Sequence, residues 1–278
     1  MVNRLHADIS KRLSGVTDDC GFEARVILET VFGRDYRLKE LSGQIGEPSE
    51  AELAKIEEMI ARRMSGEPLQ YIVGEWEFFG LTFKVGKGAL IPRQDTETLV
   101  ETALELLKGI QNPCVLDLCS GTGCVAIAIS NGRPDAQVSA LELYSEAYGI
   151  LCDNAERHGG IKAIQADALD PDTAKEFAGL DLITANPPYL TAEDMERLQR
   201  EVKHEPQTAL FGGEDGLDFY RVLSKIWYDS LKDGGVIAYE IGLGQENAVA
   251  EILRVCGYRE VRFVNDLTNR VRVVFAIK

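Results

Sequence analysis

Asn186-Pro187-Pro188-Tyr189 follows an apolar run and joins a side-chain amide to two rigid backbone units and a phenol ring. Proline lacks a backbone N–H and fixes φ, so a central strand has to end here. A residue that precedes proline is held extended, which applies to both Asn186 and Pro187 and leaves their carbonyls free to accept hydrogen bonds. The tetrapeptide therefore reads as a rigid acceptor site. A simple turn behind a buried strand is the bland alternative, and the neighbouring strand ends decide between the two.

A second stretch, Cys114-Val115-Leu116-Asp117-Leu118, runs into Cys119-Ser120-Gly121-Thr122-Gly123 and then into the helical pattern of Cys124 to Ile129. Strand, glycine-rich turn and helix start together let a ligand approach the backbone, because Gly121 and Gly123 carry no Cβ. The loop lacks the Lys-Ser/Thr ending of a P-loop and does not complete Gly-x-Gly-x-x-Gly. Glu142 ends the next strand, where a carboxylate accepts hydrogen bonds from ribose hydroxyls. Asp167 follows the strand after that, in a place to meet an adenine amino group. Each acid alone reads as a solvated loop residue. Successive strand ends bearing suitable groups, with Asn186 on the fourth, point to a nucleotide-like ligand at the carboxyl edge of an open α/β sheet.

The elements that must position these groups alternate from about residue 92 onward. Short apolar runs at 114–118, 137–141, 161–165, 180–185 and 235–239 are separated by helical stretches, the pattern of a mostly parallel sheet covered on both faces. Two last runs, 260–264 and 271–277, are expected to pair antiparallel at its edge. Residues 76–91 are glycine-punctuated and aromatic, and are expected to form a hairpin linker. Residues 1–75 have helical periodicity and are expected to form a small bundle that packs or recognises a partner. Within it, Ser49-Glu50-Ala51-Glu52 forms a capping-box pattern, with Leu53, Ile56, Ile60 and Met64 expected on one apolar face. The division is thus 1–75, 76–91 and 92–278.

At 278 residues the chain exceeds the usual size of one hydrophobic core. Its formal charge of −15 argues against a nucleic-acid backbone as the main partner. The first residues lack the apolar core of a signal peptide and no window is a membrane span, so a cytosolic address is expected. Cys114, Cys119 and Cys124 fit no zinc spacing, and the six cysteines read as buried thiols with no metal.

The glycine-rich loop, the acid and Asn-Pro-Pro-Tyr together resemble a class I, Rossmann-like S-adenosylmethionine-dependent methyltransferase acting on a planar amino or amide nitrogen. The resemblance extends over nearly the whole chain. Gly66-Glu67-Pro68-Leu69-Gln70-Tyr71-Ile72, Leu90-Ile91-Pro92-Arg93 with Asp95-Thr96-Glu97, Gly212-Gly213 with Asp215-Gly216-Leu217, and Glu240-Ile241-Gly242 with Gln245 are similar to the protein-(glutamine-N5) methyltransferases of the HemK/PrmC family. That resemblance implies a seven-stranded sheet, S-adenosyl-L-methionine as cofactor, and methylation of the glutamine in the Gly-Gly-Gln loop of peptide chain release factors. It implies cofactor contacts at Cys119, Ser120, Gly121, Thr122, Gly123, Glu142, Ala168 and Asn186, to which the strand-end reading adds Asp167, and substrate contacts at Asn186, Pro187, Pro188 and Tyr189. Asn186, Pro187 and Tyr189 carry the catalytic role. A monomer is expected, with no direct nucleic-acid or membrane partner.

Three positions depart from the family pattern: Cys119 replaces a glycine, Glu142 replaces the commoner aspartate, and Ala168 stands where many relatives carry an aromatic. Arg93, Asp95, Glu97 and Glu240 are read either as lining the substrate entrance or as structural ion pairs. Three rivals share some of these features: a ribosomal-protein glutamine methyltransferase, an adenine-N6 nucleic-acid methyltransferase, and a non-enzymatic binding module.

Overall fold

The structure, a computed structural model, describes residues 2–42 and 47–278. It divides into two compact units, the first ending at Gly74 and including Arg200–His204, the second comprising Glu75–Gln199 and Glu205–Lys278.

The first unit is built from helices α1 (Val2–Leu13), α2 (Cys20–Phe32), α3 (Tyr36–Leu41), α4 (Glu50–Met64) and α5 (Leu69–Val73). The capping box forms as the sequence leads one to expect: the Ser49 hydroxyl accepts from the Glu52 N–H while the Glu52 carboxylate accepts from the Ser49 N–H. The buried stripe of α4 differs from expectation. Ile56, Met59, Ile60 and Arg63 face inward, whereas Leu53 and Met64 are exposed. Arg63 turns the stripe because it is only 1% exposed and forks onto the buried Glu23 carboxylate at 2.7 and 2.9 Å, with Glu201 as a second acid. Replacing Arg63 with methionine should cost about 3–5 kcal/mol, since Glu23 would keep a buried charge without its partner. Urea denaturation checks this, and adding Glu23→Gln should recover part of the loss.

The second unit opens with the hairpin β1 (Glu75–Phe78) and β2 (Leu81–Lys84), then α6 (Glu97–Leu106), β3 (Cys114–Leu118) and α7 (Cys124–Gly132). It continues through β4 (Gln137–Glu142), α8 (Ser145–His158), β5 (Ile161–Gln165), α9 (Pro171–Lys175), β6 (Leu180–Ala185) and α10 (Ala192–Glu196). It closes with α11 (Asp218–Ile226), β7 (Leu231–Glu240), α12 (Glu246–Val255), β8 (Arg259–Asn265) and β9 (Val271–Ile277). All seven expected strands join one sheet in the order β5-β4-β3-β6-β7-β9-β8. The first five are parallel; β9 runs antiparallel between β7 and β8, so the last two runs do form an antiparallel pair, with β8 at the edge.

The central strands β3 and β6 are buried on both faces, which explains why they read as unbroken apolar runs, while β5 and β8 at the two edges stay partly exposed. Leu116, Ile183 and Tyr239 pack into one core, and their neighbours Val115, Leu182 and Ala238 pack into the other. The chain reverses direction across the sheet at β3: β4 lies on one side and β6 on the other. Carboxyl ends that diverge in this way leave a crevice between them.

Among the described residues no helix is long and apolar enough to cross a membrane, and no cluster of His, Cys, Asp and Glu could hold a metal. The expectation for the thiols needs correction: only Cys124 is buried, while the other five cysteines are half-buried and free.

Candidate active site

The crevice holds a cavity of about 300 Å³, at the small end of the range for small-molecule ligands. Cys119, Ser120, Gly121 and Thr122 line it from the loop after β3, and Glu142 from the end of β4. Asp167 and Ala168 line it beyond β5, and Asn186 and Pro188 beyond β6. Gly123, Pro187 and Tyr189 are not on its wall. Thr96, Asp117, Leu143, Tyr144 and Phe219 also line it, and none of these stood out as a site residue in the sequence.

The loop after β3 is held open by backbone conformation. Cys119, Gly121 and Gly123 all have positive φ, at 54°, 56° and 80°. A glycine fits the first of these without cost, whereas a cysteine there carries roughly 1–2 kcal/mol of strain. The Ser120 N–H donates to the Leu141 carbonyl at 2.9 Å, pinning the loop to β4. Gly123 answers to packing: a Cβ there would sit 2.4 Å from Leu151 Cδ1 on α8. Beneath the loop, Asp117 accepts hydrogen bonds from the hydroxyls of Ser120 and Thr184. Burial outweighs those bonds and pushes its carboxyl up to about 6.

Glu142 is 7% exposed and accepts from the Gly121 and Tyr144 N–H groups, each at 2.9 Å. Burial raises its pKa, and those two backbone bonds oppose the rise. A carboxylate offers about four acceptor positions, so acceptor capacity remains for a diol. Asp167 accepts from the Leu169 N–H at 2.8 Å, and the Trp227 indole donates to the Ala168 carbonyl at 2.9 Å.

Asn186 is the most informative residue. Its Nδ2 donates to Thr96 Oγ1 at 3.2 Å, while its Oδ1 is buried with no partner. An orphaned buried acceptor costs free energy unless something outside the chain fills it. The loop that carries it is braced from behind. Gln245 Nε2 donates to the Tyr189 carbonyl at 3.0 Å, and the Leu190 N–H and carbonyl bond Leu210 and Gly212 at 2.8 and 2.9 Å. A Cβ on Gly212 would lie 2.6 Å from the Pro188 carbonyl, and one on Gly216 would lie 2.3 Å from that of Tyr189. The motif residues around 212–217 and 242–245 thus fix Asn-Pro-Pro-Tyr in place. The Tyr189 phenol is pushed up to about 12 by burial and stays protonated.

The charged residues around the start of α6 are paired within the chain. Arg93 pairs with Glu205, which also accepts from the Ile91 N–H at 3.0 Å. Asp95 pairs with Arg272 at 2.9 Å, and Glu97 accepts from the Phe79 N–H at 2.8 Å. Arg93 also reaches the cavity wall. Glu240 is 1% exposed and is pushed up to about 7 by burial, against the hydrogen bond from Thr96 and the charge of Arg272. Because this folded-state value lies above the ordinary carboxyl value, the stability it contributes is complete below about pH 4.5 and is lost as pH rises through about 7. Measured by urea denaturation across this window, the stability of the wild type relative to Glu240→Gln should fall, then level off.

A seven-stranded sheet with this order, with a ligand cavity at the carboxyl ends beside its reversal point, defines a class I methyltransferase. A methyltransferase from Pyrococcus furiosus shares the fold at a TM-score of 0.51 and 16% identity, covering 83% of this chain and 99% of that one. In sequence, residues 4–74 match the PrmC N-terminal domain and residues 95–213 the methyltransferase small domain. The chain is 37% identical over 260 residues to the release factor glutamine methyltransferase of Clostridium botulinum, covering 92% of this chain and 91% of that protein. It is 39% identical over 236 residues to the protein of the same name from Fusobacterium nucleatum, covering 84% of this chain and 66% of that protein. This chain belongs to the release factor glutamine methyltransferase family, and both family and fold imply use of S-adenosylmethionine.

Proposed function

We propose that this protein transfers a methyl group from S-adenosylmethionine to the side-chain nitrogen of the glutamine in the Gly-Gly-Gln loop of peptide chain release factors. The observation that carries this reading is the buried, unpartnered Asn186 Oδ1 at the end of β6, beside the cavity. When bound, S-adenosylmethionine supplies an electrophilic methyl group on a sulfonium sulfur. Cys119 to Gly123 would hold it through the backbone, Glu142 would accept from the ribose hydroxyls, and Asp167 would meet the adenine amino group. Ala168 offers no ring for stacking; Phe219, which lines the same cavity, supplies the aromatic surface instead.

A glutamine amide nitrogen is a weak nucleophile because its lone pair is delocalised into the carbonyl. Rate therefore depends on holding that nitrogen in line. Asn186 Oδ1 and the Pro187 carbonyl accept its two hydrogens, and the prolines keep both acceptors rigid. Pro187, Pro188 and Tyr189 belong to the protein substrate's side, with the Tyr189 ring excluding water from the amide plane. No dedicated strong base is required, because a methylated amide cation is acidic enough to pass its proton through the acceptors that hold it.

The test is incorporation of labelled methyl from S-adenosylmethionine into intact release factor, with ribosomal proteins and duplex DNA in parallel. Label in the release factor alone supports the reading. Label in a ribosomal protein or in DNA would overturn the substrate, and binding of cofactor without turnover would overturn the enzymatic assignment.

A further inference from the structure

We propose that Arg93, braced by the buried Glu205, binds the carboxylate at the amino-acid end of the cofactor. The inference rests on the reading above, in which S-adenosylmethionine fills the cavity, with Glu142 and Asp167 taking its ribose and adenine. Among the described residues that line the cavity, the charged ones are Arg93, Asp117, Glu142 and Asp167. The other three are acids, so Arg93 is the cation there that an anionic group of a ligand can meet. Glu205 accepts from Arg93 Nη2 through one carboxylate oxygen and from the Ile91 N–H at 3.0 Å through the other. Its side chain is 1% exposed, against 37% for that of Arg93. The buried acid thus ties the guanidinium to the chain beside the cavity. A guanidinium carries five N–H donors in a planar fork, and pairing through Nη2 leaves donors of that fork for a second carboxylate.

Charge decides which part of a ligand Arg93 serves. A carboxylate taken out of water without a partner is costly, and acids nearby make it costlier. A guanidinium held in place offsets both effects and matches a carboxylate with two parallel N–H bonds. The substrate glutamine is the other group within the site's reach. A cation on its carbonyl would draw the nitrogen lone pair further into the amide and oppose transfer, so Arg93 belongs to the cofactor.

The test compares, by isothermal titration, binding of S-adenosylhomocysteine with that of S-adenosyl-3-thiopropylamine, the same molecule without its carboxylate. Arg93→Gln should weaken S-adenosylhomocysteine by about 10- to 100-fold, and should not weaken the decarboxylated ligand by more than about twofold. Arg93→Gln also strips Glu205 of its partner. Combining it with Glu205→Gln removes the pair without leaving a buried charge, and this double variant should show the same selective loss. Arg93→Lys keeps the charge but not the fork, and its loss should fall between wild type and Arg93→Gln. The inference is overturned if the double variant weakens both ligands equally, if it weakens neither, or if Arg93→Gln raises only the KM for release factor. Failure of the wild-type protein to bind S-adenosylhomocysteine would instead overturn the cofactor reading, and this inference with it.

Discussion

Replacing Asn186 with alanine is expected to lower kcat by about 100-fold or more while leaving cofactor affinity within about threefold of wild type. The asymmetry follows from what Asn186 already does. One hydrogen of its NH2 is taken by Thr96, and its buried, unpartnered carbonyl oxygen is the acceptor it can offer a ligand. An acceptor used on the reacting nitrogen acts chiefly on the geometry of transfer. Cofactor binding draws on the separate loop after β3 and on Glu142. Steady-state kinetics with isothermal titration of the cofactor checks this, and equal losses in both quantities would refute the division of roles.

Replacing Glu142 with alanine is expected to do the reverse, raising the cofactor Kd by about 100-fold or more as charge-assisted bonds worth about 1.5–3 kcal/mol each are lost. Two effects combine. Ribose hydroxyls lose their acceptor, and the Gly121 and Tyr144 N–H groups lose the carboxylate that now fixes them at 2.9 Å. Glu142→Asp should retain most of the affinity, since the shorter acid keeps the charge at the same strand end. At saturating cofactor the kcat of Glu142→Ala should recover far more than that of Asn186→Ala. An unchanged Kd in Glu142→Ala would remove the ribose role from this residue.

The parts of the fold that govern these effects were legible for a physical reason. Strands buried on both faces must be apolar throughout, and turn residues bound each run, so Cys114–Leu118 and Leu180–Ala185 declare their ends. Those ends locate Cys119 to Thr122, Glu142 and Asn186 on one edge, and the cavity lies among them. Contacts that depend on tertiary proximity left no local trace. The α4 stripe was misplaced because Arg63 is buried through an ion pair with Glu23, forty residues away, which no apolar pattern records. Thr96 bonds Asn186 across ninety residues, and although its charged neighbours were weighed for the substrate entrance, its own type does not mark it as a contact of Asn186. Phe219 reaches the cavity wall from the second residue of α11, where it reads as an ordinary core aromatic.

In the proposed mechanism two fixed acceptors of Asn-Pro-Pro-Tyr hold the substrate amide. A crystal structure of the protein with S-adenosylhomocysteine and a release factor bearing its unmethylated Gly-Gly-Gln loop would show those contacts. The glutamine side-chain nitrogen is expected within hydrogen-bond distance, about 2.7–3.2 Å, of both Asn186 Oδ1 and the Pro187 carbonyl. A glutamine nitrogen that approaches neither acceptor, or that meets the Asn186 NH2 instead, would contradict it.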